Sequence, residues 1–138
     1  MATLEDLIKK ANSTAVKQHH DSEEHRIQTA CVRWFRFKYP NHRHNLFAVP
    51  NGQKRTSVQC AWLKEEGMLP GVADLILLKS NSNYGALLVE MKTAKGKQQK
   101  NQKEWQSLIE KDGYKYVVCR STDDFIRYVT DYMNDIYF

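Results

Sequence analysis

The feature that most constrains this 138-residue chain is a pair of apolar segments, MLPGVADLILL (68–78) and ALLVEMK (86–92), separated by the turn-formers SNSNYG. Branched apolar residues suit a pleated, buried surface, and the polar, glycine-ended spacer suits a reversal, so the pair predicts an antiparallel hairpin. Neither segment alternates apolar with polar residues, so both faces of the hairpin are expected to be covered. Yet Asp74, Glu90 and Lys92 stand inside it.

Residues facing each other across an antiparallel pair have position numbers that sum to a constant. A turn centred on Ser82 makes that sum 164 and sets Asp74 opposite Glu90, with Cβ atoms roughly 4.5–5.5 Å apart. Lys92, two positions on, falls on the same face, together with Val72, Ile76 and Leu88. Ala73, Leu75, Leu77, Leu87, Val89 and Met91 are expected on the other. A slip of one residue would break the arrangement.

Two carboxylates side by side in apolar surroundings repel, and either is pushed toward protonation unless a cation lies between them. Two readings follow. In one, Lys92 is that cation and the three form a structural ion network. In the other, the carboxylates hold Mg2+ or Mn2+, whose waters and a substrate phosphate complete the shell, and Lys92 orients or helps deprotonate a water.

The rest of the chain supplies layers for such a hairpin. Asp21 or Ser22 is expected to cap a helix in which Ile27, Cys31, Trp34 and Phe35 recur at helical spacing, with Pro40 ending it. Residues 3–18 are weakly periodic and read as a short, loosely attached helix. LFAVPNG reads as a strand running into a turn at Asn51-Gly52, and SVQCAWLKEEG as a helix with Gly67 as its left-handed cap. A helix over QQKNQKEWQSLIEKDG ending at Gly113, a buried strand YKYVVCR, and a closing helix TDDFIRYVTDYMNDIYF capped by Ser121 or Thr122 complete the order. The expectation is one domain over 1–138, with residues 1–20 as a loose segment. Its class is α/β, a mixed sheet flanked by helices.

Basic side chains outnumber acidic ones, 21 to 16, for a formal charge of +5. The excess clusters at Lys95, Lys97, Lys100 and Lys103 and at His42, Arg43 and His44, which favours a polyanionic partner, above all nucleic acid. Cys31, Cys60 and Cys119 are widely spaced in apolar stretches and read as buried, reduced thiols of an intracellular protein. His19 with His20, and His42 with His44, lack complementary ligands for zinc. No apolar run approaches the roughly 20 residues of a membrane span, which leaves a cytoplasmic expectation.

The hairpin motifs G-V-A-D and V-E-M-K resemble those of the PD-(D/E)XK nuclease superfamily, with Ala73 where that motif has proline. With NLFAVPNGQKR, LKEEGMLPGVADLILL and LLVEMKTAKGKQQKNQKEW in that order and spacing, the chain resembles the virus-type replication-repair nuclease (VRR-NUC) family from about Ser22 to Ser121. The resemblance implies a restriction-endonuclease-like core and a divalent-metal-dependent phosphodiesterase acting on DNA. It implies that Asp74 and Glu90 bind Mg2+ or Mn2+, that the Met91 carbonyl is a further ligand, and that Lys92 is the catalytic lysine. It also implies an acid on the first helix, with Glu24 as the match and Glu23 as competitor.

Glu24 lies three residues before Ile27 and seven before Cys31, on the apolar stripe, and so is expected to point inward. A competing role exists, because Asp21 followed by Glu24 fits a capping box. Gln28, one turn on, is expected to support Glu24 or a water, or to make a polar contact in the core. Gln102 precedes Trp105 and Ile109 on another inward stripe and matches a glutamine of the family. It is read as lining the site and bonding Lys92 or a phosphate oxygen, or else as a packing residue. Lys95, Lys97 and Lys100 span the turn into a helix whose free N–H groups favour an anion. Asn51, Gln53, Lys54 and Arg55 are assigned to DNA-backbone contacts.

The function expected from all this is a metal-dependent DNA endonuclease. As a small freestanding domain it should read DNA shape. Stand-alone family members are similar to Holliday junction resolvases, so a homodimer cutting branched DNA is expected, in a bacterial or phage-infected cell. The alternatives are a nuclease on flaps, ends or plain duplex, and a catalytically idle nucleic-acid-binding module.

Overall fold

The computed structural model describes residues 3–50 and 56–138, and only the backbone of residues 11–22. The first helix, α1, runs from Leu4 to Lys38 without interruption. It starts at a capping box, in which the Thr3 hydroxyl accepts from the Asp6 N–H and the Asp6 carboxylate accepts from the Thr3 N–H. It ends where the Tyr39 N–H bonds the Phe35 carbonyl and Pro40, unable to continue a helix, opens a short 3-10 turn. The two helices expected before Pro40 are therefore one. No helix begins at Asp21 or Ser22, so a capping box from Asp21 to Glu24 has no end to cap. At the start of α1 the weak periodicity goes with exposure: Leu4, Leu7 and Ile8 cover no core.

Four strands follow in spatial order β1-β2-β3-β4: β1 Leu46–Ala48, β2 Leu75–Leu77, β3 Leu87–Met91 and β4 Lys115–Cys119. The first two pairings are antiparallel, and β3 and β4 are parallel, linked through α3, Lys100–Lys111. β2 and β3 pair as Leu75↔Val89, Ile76↔Leu88 and Leu77↔Leu87, which is the expected sum of 164. The turn between them is built on Asn81, whose side-chain oxygen accepts from the N–H groups of Asn83 and Tyr84. The Asp135 carboxylate, accepting from Ser82 N, fastens that turn to the carboxy-terminal segment.

Strand β3 is buried along its whole length, so its two faces meet two different helical layers. Leu87, Val89 and Met91 join Cys31 and Phe35 of α1 and Phe125, Val129 and Tyr132 of α4, Thr122–Met133. Leu88 joins Ala73, Ala86 and Tyr116 against Trp105 and Ile109 of α3. Ala73 is thus on the α3 side, not the side expected, because the chain bends at Asp74 and the strand alternation begins only at Leu75. The helix α4 is capped by Ser121, which accepts from Asp124 N, and stops at Met133 short of the expected end.

The helix α2, Ser57–Glu65, ends in the expected left-handed Gly67, with Gly67 N bonding Lys64 O and Met68 N bonding Leu63 O. Cys31 and Cys119 are buried, and burial pushes their thiols up to about 11 and about 12. Cys60 departs from expectation in being half-exposed on α2, a helix that buries no residue. Among the described residues no helix is long and apolar enough to cross a membrane. The turn expected at Asn51-Gly52 lies outside the described residues.

Candidate active site

Glu90 is the sole buried charged or polar residue among those described, only 1% exposed, and it sits in the middle layer of the protein. A carboxylate in such a place must find donors. Its Oε1 accepts from Gln102 Nε2 at 2.7 Å, and its Oε2 accepts from the Tyr116 hydroxyl. Gln102 is itself aimed by the start of α3, because its Oε1 accepts from the Gln99 N–H at 2.8 Å, leaving the amide NH2 to face Glu90. The partner of Gln102 is therefore Glu90 rather than Lys92.

One register step beyond Leu75↔Val89 sets Asp74 across from Glu90. The bend at Asp74 turns its side chain back along the hairpin, where Oδ2 accepts from the Met91 N–H at 2.7 Å in place of a ladder bond. A residue's N–H and C=O leave a strand on the same side, so the Met91 carbonyl faces this edge too. Gly71 brings the chain here. Its φ of +89° is one that a side chain resists, and an added Cβ would lie 2.8 Å from the Asn101 carbonyl oxygen. The loop before Asp74 thus rests directly on the first turn of α3.

These residues open on a cleft of about 330 Å³ whose lining includes Glu24, Met68, Gly71, Asp74, Glu90, Met91, Lys92, Gln99, Asn101 and Gln102. Glu24 reaches it from α1; Glu23 is not part of the lining. Gln28 is half-buried and also outside it. Lys95 and Lys97, on the chain between β3 and α3, and Lys100, the first residue of α3, are exposed and do not line the cleft. Lys100 pairs with Glu104 at 3.8 Å on the surface. His42 Nδ1 lies 3.2 Å from Asn45 Oδ1. Asn51, Gln53, Lys54, Arg55, His19 and His20 fall outside what can be described.

The electrostatics are those of acids held together against their preference. Burial pushes the Glu90 carboxyl up, opposed by the Tyr116 hydrogen bond and reinforced by Asp74. Burial likewise raises Asp74, against the pull of the Met91 N–H and Lys92. Glu24 keeps much of its surface in water, yet lost solvation and then the Asp74 charge raise its carboxyl, while Lys92 and the Thr93 backbone lower it. Among the described residues one ammonium faces the three acids: Lys92 Nζ is 3.8 Å from Glu90 Oε1. A site so short of positive charge, with hard oxygen donors and an open side, fits Mg2+ or Mn2+. Among the described residues no three His, Cys, Asp or Glu side chains form a ready cage.

Three features were missed in the sequence. Tyr116 comes from β4, whose parallel register cannot be counted from a hairpin turn; a tyrosine in an otherwise apolar strand, in need of a polar partner, was the available signal. Arg120, just past β4, donates from one Nη to the carbonyls of Thr93 and Gly96 and so ties down the lysine-bearing turn. Gln99 and Asn101 line the cleft from the start of α3.

Comparison with known proteins agrees with this architecture. The family model described as the VRR-NUC domain matches residues 14–123. A solved structure titled "VRR_NUC domain protein" superposes with a TM-score of 0.72 at 24% identity, covering 83% of this chain and 91% of that one. No curated protein matches.

Proposed function

The chain belongs to the VRR-NUC family, nucleases of the PD-(D/E)XK type, and on that premise we propose that it is a divalent-metal-dependent DNA endonuclease that cuts branched DNA as a homodimer. The observation that carries the proposal is the convergence of Asp74, Glu90 and Lys92 on one cleft, in the register that the hairpin imposes.

Asp74, Glu90 and the Met91 carbonyl would hold Mg2+ or Mn2+, with Glu24 contributing from α1. When bound, the cation would offset the negative charge that develops on the phosphate under attack. Lys92 presents its ammonium beside the carboxylates, where it orients the attacking water and contacts a phosphate oxygen. Gln102 and Tyr116 hold Glu90 still while this happens. The attacking oxygen bonds to phosphorus as the opposite P–O bond breaks; the proton of the water passes to solvent, and the leaving sugar oxygen takes up a proton from solvent. Lys95, Lys97 and Lys100, exposed beside the cleft, interact with neighbouring phosphates.

Branch selectivity is supported by the family resemblance, since stand-alone members are similar to Holliday junction resolvases. Paired cuts in a four-way junction need two copies of the cleft, hence the homodimer. The test is a panel of labelled four-way junction, 5′ flap, duplex and single strand, each with Mg2+, Mn2+ or EDTA. Paired symmetric nicks confined to the junction are expected. Cleavage of the flap alone would reject junction selectivity, and cleavage that persists in EDTA would reject metal dependence.

A further inference from the structure

Glu90 could have been neutralised by the ammonium next to it, but its two oxygens are instead taken by uncharged donors. The Tyr116 hydroxyl donates to Oε2 and Gln102 Nε2 to Oε1 at 2.7 Å, while Lys92 Nζ stays at 3.8 Å, outside hydrogen-bond range. Tyr116 is 3% exposed, and its ring stands edge-on to Trp105 with centroids 6.0 Å apart. The ring alone would fill that space as a phenylalanine. What the hydroxyl adds is a fixed donor on the far oxygen of Glu90, arriving from a different strand than the one that carries the carboxylate.

We propose that Tyr116 is a positioning residue for the divalent cation of this cleft: with Gln102 it forms a neutral clamp that fixes the Glu90 carboxylate without cancelling its charge. The inference rests on the metal-dependent reading above and adds a residue to it. Hydrogen bonds that orient a metal-ligating carboxylate govern affinity because they remove the rotamers that face away from the metal, and losing one typically costs 10- to 100-fold. A carboxylate clamped by neutral donors keeps its full charge for the cation. The same carboxylate clamped by lysine would not.

Calorimetric titration of the metal-free protein with Mn2+ tests this without relying on turnover. Tyr116→Phe keeps the ring, and it should melt within a few degrees of the parent while its Mn2+ Kd rises roughly 10- to 100-fold. Cleavage should fall at low Mn2+ and recover at high Mn2+, with DNA affinity unchanged. Gln102→Met, the other jaw of the clamp, should weaken Mn2+ in the same range, which keeps the proposal testable if Tyr116→Phe does not fold. Trp105→Phe, which disturbs only the packing around the ring, should lower the melting temperature and leave the Mn2+ Kd alone. If Tyr116→Phe folds and binds Mn2+ like the parent, the clamp is refuted; if it does not fold, an unchanged Kd in Gln102→Met refutes it. A parent that binds no Mn2+ and cuts no DNA overturns the metal-dependent reading, and the clamp with it.

Discussion

Lys92 stops 3.8 Å short of Glu90, although it directly follows the strand that carries Glu90 and both side chains open into the same cleft. A buried ion pair meant to stabilise the fold would close that gap, because the cost of burying both charges is recovered only at good geometry. Here Gln102 and Tyr116 take the carboxylate, and among the described residues the Lys92 ammonium is left without a hydrogen bond. Lys92→Met should therefore leave the protein folded, with the raised carboxyls of Glu90 and Asp74 taking up a proton in place of the lost ammonium. Cleavage should drop by roughly 10²- to 10⁴-fold, the ordinary worth of a group that aids proton transfer. Urea denaturation and single-turnover cleavage measure the two; a large stability loss with activity kept would return Lys92 to a structural role.

The raised carboxyls make a prediction about pH. Burial lifts Glu90 and Asp74 above their ordinary values of 4.5 and 3.8, so just above those values the native state binds more protons than the unfolded one. Stability then falls as pH rises through that window, and the full cost is present once both acids are ionised. In EDTA the parent should lose stability between weakly acid and neutral pH relative to Glu90→Gln, and Mg2+ should restore it at pH 8. Melting curves for both proteins across pH check this. Curves that run parallel would contradict it.

Gly71 carries two demands at once, a positive φ and an approach to Asn101 that leaves no room for a Cβ. Gly71→Ala should cost about 1–2 kcal/mol for the backbone alone, and more from the steric clash. It should also shift Asp74, so cleavage should fall further than stability explains. Chemical denaturation together with cleavage at a temperature where the variant is folded separates the two effects.

Lys95, Lys97 and Lys100 are proposed to meet DNA phosphates, and Arg120 ties down the turn that leads to them. Alanine at Lys95, Lys97 and Lys100 together should weaken binding most at low salt and flatten the slope of log K against log salt by about 0.9 for each duplex phosphate no longer neutralised. Arg120→Ala, which frees the turn without removing a lysine from it, should weaken binding less and leave the fold intact. Fluorescence anisotropy over a salt series reads both.

The site was legible in the sequence where local rules determine geometry. The Asp74 and Glu90 pairing followed from hairpin arithmetic because the turn around Asn81 and Ser82 is tight and well bonded. Gln102 was legible from helical spacing, although its partner was not. Glu24 reaches the cleft from α1 but stays exposed rather than turned inward, and the helix start expected before it is absent, since α1 continues back to Leu4, where Leu4, Leu7 and Ile8 meet no core to impose a period. Ala73 was placed on the wrong face because alternation was extrapolated through the bend at Asp74. Tyr116 stayed hidden because it arrives through a parallel pairing across a helix, and no turn length fixes such a register.

A cleft in which Asp74 and Glu90 hold a metal for phosphodiester cleavage must fail when either the acid or the cation is taken away. Single-turnover cleavage of a labelled four-way junction, parent against Asp74→Asn, each with Mg2+ and with EDTA, tests it most directly. The parent should cut with Mg2+, and neither the variant nor any reaction in EDTA should, with both proteins equally folded. Equal cutting by parent and Asp74→Asn would contradict it.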